Sequence, residues 1–303
     1  MDPIPIKDLV HVSLFGNVQC STQLLHNLMH AGVTVSFMSS HGKMVGIASP
    51  LTTKNIDLRK QQFLKFQHPE LSLRLTRQVI AAKISNQRTL LRRNGKPSPA
   101  VLREMLRLRD QVMESVSLDS IRGLEGRAAR LYYEAFPGML KVRGEEYADI
   151  MNGRNRRPPK DPVNAMLSLG YSLLLRDFVS ACASVGLDPG FGFFHRSEPG
   201  RPALALDLME PFRPLIVDSV VIRMLNTGEI EAGDFYRGED SCQLNKKGRF
   251  AWFAGYERRM NEELKHPMFS YRIPYRRIIE LEVRLLARFL EGELPEYHPL
   301  VTR

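Results

Sequence analysis

Residues 71 to 91, LSLRLTRQVIAAKISNQRTLL, carry apolar side chains at spacings of three and four, with Arg74, Arg77, Lys83 and Arg88 between them. That period is helical, and similar patterns dominate from about Asp57 onward. From Arg74 to Arg109 the chain holds ten basic residues against the single acid Glu104, over two expected helices joined by the break Asn94-Gly95-Lys96-Pro97. A run of one sign is either a solvated face or a phosphate-facing surface. The one-sidedness over two helices favours the second, so Arg74, Arg77, Lys83 and Arg88 are expected to face DNA.

Upstream the pattern changes. Leu9 to Phe15, Val33 to Met38 and Met44 to Ala48 read as strands. Between the first two, Ser21 or Thr22 can cap a helix through Leu24, Leu25 and Leu28 that stops at Gly32. The expected fold class is therefore α+β: a small N-terminal β domain over 1–56, then a larger all-α domain over 57–303. His26 and His30 sit four apart on the short helix, but no acidic residue lies between or close after them, and they are left out of the site.

Downstream, Leu118 to Phe136 is a helix in which Glu125 heads a row with Ala129, Tyr132 and Phe136. A carboxylate on a largely apolar row needs a cation, and two remain open: a salt bridge to Arg122 or a metal ion. Asn152 to Asn164 (NGRNRRPPKDPVN) breaks the helical pattern and ends in a start signal, Asp161 as cap and Pro162 at the first helical position. Arg154, Arg156 and Arg157 in that loop are well placed to hold phosphates, the alternative being an exposed connector.

Gly190 to Pro214 (GFGFFHRSEPGRPALALDLMEPFRP) sets His195 in a glycine-rich turn and then Asp207, Glu210 and Arg213 at intervals of three. A helix starting near Asp207 and bending around Pro214 would place those three on one face. An imidazole with two carboxylates suits Mg²⁺ or Mn²⁺ better than a thiolate-seeking metal. Asp207-x-x-Glu210 is equally a capping box. Further on, 229–244 reads as a hairpin around Arg237-Gly238, Asn245 can cap a helix over 246–264, and 275–290 closes the chain as a helix.

The whole sequence of 303 residues has 43 Lys+Arg against 33 Asp+Glu, a formal charge of +10, which favours an anionic partner, nucleic acid first. Cys20, Cys182 and Cys242 are widely separated, which suggests neither a disulfide framework nor a zinc site and fits the cytosol. No apolar run approaches a membrane span in this reading, and the first residues lack a signal-peptide pattern, so no membrane partner is expected.

Glu125-Gly126, RNRRPPKDPVNAMLSLGYSLL at 154–174 and FGFFHRSEPGRPALALDLMEPFRP at 191–214 occur together and in order, with SLFGNVQCST at 13–22 and RRIIELEVRLLARFLEGELPEYHP at 276–299. The chain resembles the CRISPR-associated adaptation endonuclease and integrase, the first-numbered Cas protein family. The resemblance implies a small β domain, a larger all-helical catalytic domain, and Mg²⁺ or Mn²⁺ held by Glu125, His195 and Glu210, with Asp207 a further catalytic acid. Arg213 falls near the family's DNA path. It further implies insertion of short foreign DNA into the CRISPR array by attack of a 3′-hydroxyl on a repeat phosphodiester. The implied partners are double-stranded and branched DNA (prespacer and CRISPR repeat), the second-numbered Cas protein and a second copy of the chain, in a prokaryotic cytoplasm. SLFGNVQ begins at Ser13, ahead of which the family has further strands. The β domain is thus expected to be partial, as in the downstream half of a fusion with the adaptation exonuclease, the fourth-numbered Cas protein. The rival reading is a non-catalytic basic helical DNA-binding module, or a scaffold for a fused nuclease.

Overall fold

A computed structural model describes residues 4–9, 11–40, 42–50, 55–147, 149–155, 158–267, 269 and 271–302. Strands β1 (His11–Phe15), β2 (Thr34–Met38) and β3 (Met44–Ala48) form one sheet in that order. Ser21 caps helix α1 (Thr22–His30) by accepting from the Leu24 N–H. The helix carries the chain back along the sheet, so β1 and β2 run parallel, with His11 opposite Thr34 and Phe15 opposite Met38. β3 returns antiparallel to β2.

Alternation along β1 gives its side chains two destinations. Val12 and Leu14 pack with Leu25, Leu28, Val33 and Val35 in a small core of their own. His11, Ser13 and Phe15 meet the helical body instead: His11 Nδ1 lies 3.1 Å from Ser180 Oγ, Ser13 Oγ accepts from Arg176, and the Phe15 ring is 5.1 Å from that of Phe253.

The helical body begins with α2 (Ile56–Phe66) and α3 (Pro69–Asn94), and α3 packs against both α4 (Pro99–Glu114) and α5 (Leu118–Ala135). The break between α3 and α4 falls at Gly95-Lys96-Pro97, after which Ser98 caps α4 with Pro99 at its first position. Helix α6 (Pro162–Val185) starts on the expected Asp161 cap and ends at Gly186, whose φ of 102° is the left-handed conformation that favours glycine. By length and composition α6 could cross a membrane, against the expectation from sequence, but 72% of its most apolar window is buried inside the protein. It packs against α10 (Tyr275–Glu291), the last helix, and against α7 (Ala203–Met209).

Asp207 does not start α7. Ala203, Leu204, Ala205 and Leu206 are good helix formers, and they extend the helix back to Pro202. After α7 the chain makes a π-helical turn over Arg213–Asp218, with Pro214 inside it, and continues as α8 (Ser219–Asn226). The expected hairpin follows as β4 (Phe235–Arg237) and β5 (Cys242–Leu244), then α9 (Lys246–Asn261) on its Asn245 cap. A second hairpin, β6 (Glu263–Lys265) with β7 (Arg272–Pro274), was not expected. Its three-residue strands are too short to show a period.

Candidate functional site

The glycine-rich loop before α7 is shaped from both sides. The buried amide of Gln62 on α2 donates to the carbonyls of Asp188 and Phe191, each at 2.8 Å, and accepts from the Asp188 N–H. On the other side Asp207 is fully buried and accepts from the N–H groups of Phe193 (2.8 Å), Phe194 (3.0 Å) and His195 (2.9 Å). Gly192 permits this approach, because a Cβ there would lie 2.5 Å from Asp207 Oδ2 and 2.8 Å from the Ala203 carbonyl carbon. The same carboxylate takes the ring of His195, with Oδ1 2.6 Å from Nδ1. Asp207 thus fixes both the backbone and the imidazole, and leaves Nε2 as the ring nitrogen available to a ligand.

Glu125 on α5 and Glu210 at the end of α7 meet at one cation, Lys83 on α3. The ammonium bonds Glu125 Oε1 and lies 2.6 Å from Glu210 Oε2. All three are withdrawn from solvent, with side-chain exposures of 8% for Lys83, 26% for Glu125 and 6% for Glu210. The second contact lacks hydrogen-bond alignment, so Glu210 Oε2 is a buried acceptor without an aligned donor. Glu210 Oε1 lies 3.1 Å from Arg213 Nε. Burial alone would raise the Glu210 carboxyl; Arg213, Lys83 and His195 outweigh it and hold the group down at about 2. The same two glutamates raise the Lys83 ammonium above its ordinary value despite the opposing effect of burial.

Behind Arg213 stands a second buried cluster. Its guanidinium lies 4.5 Å from the centre of the Tyr171 ring. The Tyr171 hydroxyl donates to Asp218 Oδ1 at 2.5 Å, and Tyr132 donates to Oδ2 at 2.7 Å. Burial pushes Asp218 up to about 6, although both tyrosines act to lower it.

Of the four expected catalytic residues, the fold joins His195 to Asp207 and Glu125 to Glu210. Neither bland alternative matches this geometry. Arg122 pairs with Asp119 (2.6 Å) and donates to the Phe194 carbonyl (3.0 Å), not to Glu125. Asp207 serves the upstream loop instead of capping a helix start. Among the described residues no three His, Cys, Asp or Glu side chains are grouped closely enough to hold a metal ion. The shared position between Glu125 and Glu210 belongs to the Lys83 ammonium. The donor chemistry nevertheless fits Mg²⁺ or Mn²⁺: two carboxylates turned to one cation, an acceptor without an aligned donor, and an oriented imidazole.

The expected DNA contacts fare differently. Lys83 is buried between acids because its neighbours three and four positions away, Val79, Ile80, Asn86 and Gln87, are themselves buried. It sits on the packed stripe of α3, which is the signal the sequence carried. Arg77 and Arg88 donate through Nε to the carbonyls of Ser115 (2.7 Å) and Leu102 (3.0 Å), tying α3 to α4. Arg154 turns inward to Asn164 Oδ1 (2.6 Å) and stands 5.5 Å from the centre of the Tyr171 ring, and Arg213 is turned to Glu210. Arg74 is exposed, 5.3 Å from the centre of the Phe289 ring. Arg156 and Arg157 lie outside the described residues.

The family model for CRISPR associated protein Cas1 matches residues 1–258. A CRISPR-associated exonuclease Cas4/endonuclease Cas1 fusion from Geobacter sulfurreducens is 44% identical over 96% of the chain, which spans 54% of that protein. The CRISPR-associated endonuclease Cas1 3 of Thermus thermophilus is 36% identical over 99% of the chain and 88% of its own length. Among solved structures, a casposase bound to integration product superposes with a TM-score of 0.83 at 27% identity, covering 95% of this chain and 80% of that one. A chain of a Cas6-RT-Cas1–Cas2 complex gives 0.82 at 25% identity, covering 97% of this chain and 32% of that one.

Proposed function

We infer the function from one premise: the chain belongs to the CRISPR-associated Cas1 family. It acts as an endonuclease and integrase of CRISPR adaptation, joining a DNA 3′-hydroxyl to a phosphodiester of the repeat, or cutting DNA when water attacks instead. One bond to phosphorus forms as another breaks, so no nucleotide cofactor is consumed. The observation that carries this reading is the convergence of Glu125 and Glu210, from different helices, on one cation position, with the imidazole that Asp207 orients near enough to help hold the Glu210 carboxyl down.

In this reading Glu125, Glu210 and His195 Nε2 hold Mg²⁺ or Mn²⁺, which when bound supplies Lewis-acid polarisation of the phosphodiester. Asp207 keeps Nδ1 of His195 engaged and the loop backbone fixed. Arg213 braces Glu210, and Tyr171 with Asp218 braces Arg213. The substrates are double-stranded and branched DNA, and the partner is a Cas2 protein like that in the solved complex. A second copy of the chain, an associated or fused Cas4-type exonuclease as in the Geobacter relative, and a cytoplasmic location complete the proposal.

The test is strand transfer of a short duplex into a repeat-bearing plasmid with Mn²⁺, with and without Cas2, by wild type and His195→Ala. Loss of transfer by a variant that keeps its melting temperature and DNA affinity is expected. Normal transfer by folded His195→Ala protein would falsify the assignment, and DNA binding without transfer by wild type under both conditions would favour a binding module or scaffold.

A further inference from the structure

Lys83 is the residue that contacts both Glu125 and Glu210 among the described residues, and its ammonium has little access to water. With Arg213 on the other oxygen of Glu210, the four groups sum to zero formal charge. The neutral cluster leaves a divalent ion no way to take these carboxylates while the ammonium stays on the same oxygens, since the two cations would stand at contact distance in a poorly screened site. A lysine can yield. It is a point charge on a flexible four-carbon stem, unlike the planar fork of Arg213 stacked on Tyr171. A displaced ammonium needs a new anion near the same acids, and the DNA phosphodiester is the anion that the reaction brings there.

We propose that Lys83 is the resident counter-cation of this site, exchanged off Glu125 and Glu210 by the divalent ion and taken up by the phosphodiester of bound DNA. Ion and DNA then bind cooperatively through one side chain. The inference rests on the ion-dependent reading above and adds to it a group that reading does not need.

The experiment measures Mn²⁺ affinity calorimetrically on the full chain, wild type against Lys83→Met and Lys83→Gln, without DNA. Duplex affinity is then measured with and without saturating Mn²⁺, using a duplex with 3′-dideoxy ends so that no strand transfer occurs, and the duplex is checked on a gel to be uncut over the measurement. Linkage requires each ligand to tighten the other by the same factor, expected at about 5- to 100-fold in wild type and near unity in both variants. Without DNA, both variants are expected to bind Mn²⁺ about tenfold or more tightly than wild type, since their carboxylates no longer hold an internal cation. Their melting temperature in EDTA should fall and be restored by Mn²⁺. Lys83→Gln keeps a donor for the acids and covers the case in which Lys83→Met does not fold. Variants that bind Mn²⁺ no better than wild type, or that keep the full coupling to DNA, would overturn the proposal and make Lys83 a structural brace. If wild type and Glu210→Gln bind Mn²⁺ equally weakly, the ion-dependent reading itself falls, a different outcome from the failure of the lysine exchange.

Discussion

Glu210 and Asp218 are both buried, and they flank the same guanidinium, yet their chemistry diverges. Glu210 faces the cations Lys83 and Arg213 and is held down to about 2. Asp218 is met directly by two tyrosine hydroxyls, with its cations farther off, and burial lifts it to about 6. Burial is common to both; the partners decide the sign. Full charges keep one acid ionised and ready to exchange its cation, whereas neutral donors leave the other close to protonation and suited to a fixed brace.

The largest effect that would break the comparison is removal of the ionised side. Glu210→Gln should lower strand transfer by more than about 100-fold, exceeding the 10- to 100-fold typical of groups that only orient a ligand. A single-turnover assay with Mn²⁺ checks it; a smaller loss would place Glu210 among the supporting residues. Asp207→Asn should fall within that 10- to 100-fold range and also cost about 2–4 kcal/mol of stability, because backbone donors lose part of their acceptor. Urea denaturation beside the transfer assay separates the two effects. Gly192→Ala sharpens the same point without touching a charge. Its Cβ would press on Asp207 Oδ2 and the Ala203 backbone, at about 1–3 kcal/mol in denaturant titrations.

Opposite in sign for the two acids is the dependence on pH. The lowered Glu210 carboxyl contributes stability that is present above its ordinary 4.5 and lost as pH falls through about 2. Asp218 is raised, so its contribution is full below its ordinary 3.8 and lost as pH rises through about 6. Asp218→Asn should therefore flatten the stability profile between about pH 4 and 6, by about 2–3 kcal/mol. Urea titrations across that window test it, and an unchanged profile would mean that the tyrosines keep Asp218 ionised.

Much of this arrangement was legible in the sequence, and the remainder was hidden for definite reasons. Local chemistry announced the caps at Ser21, Asp161 and Asn245, the break after Asn94 and the strand pattern of β1. Motif resemblance singled out Glu125, His195, Asp207 and Glu210, which the fold assembles as two pairs. The partner of Glu125 was not readable from its own helix, because Lys83 reaches it from α3. Counting charge without phase placed Lys83 with the surface arginines, although its buried neighbours share its stripe. The roles of Gln62 and Tyr171 stayed silent because each depends on a carbonyl or carboxylate supplied by a distant segment.

The π-helical turn at Arg213–Asp218 fixes a rotational phase. In an α-helix each residue advances the chain by about 100°, and a ring closed one residue later absorbs one extra step. Within this turn Arg213 lies over the face of Tyr171 while Asp218 takes its hydroxyl. Rewound as regular α-helix over the same residues, the segment would keep sound hydrogen bonds and a continuous apolar side. The two ends would then be out of step by about a quarter turn, and either the guanidinium or the carboxylate would leave the tyrosine. Winding here is thus a parameter as specific as residue identity: the residue that the wide turn takes up keeps Arg213 and Asp218 on one tyrosine.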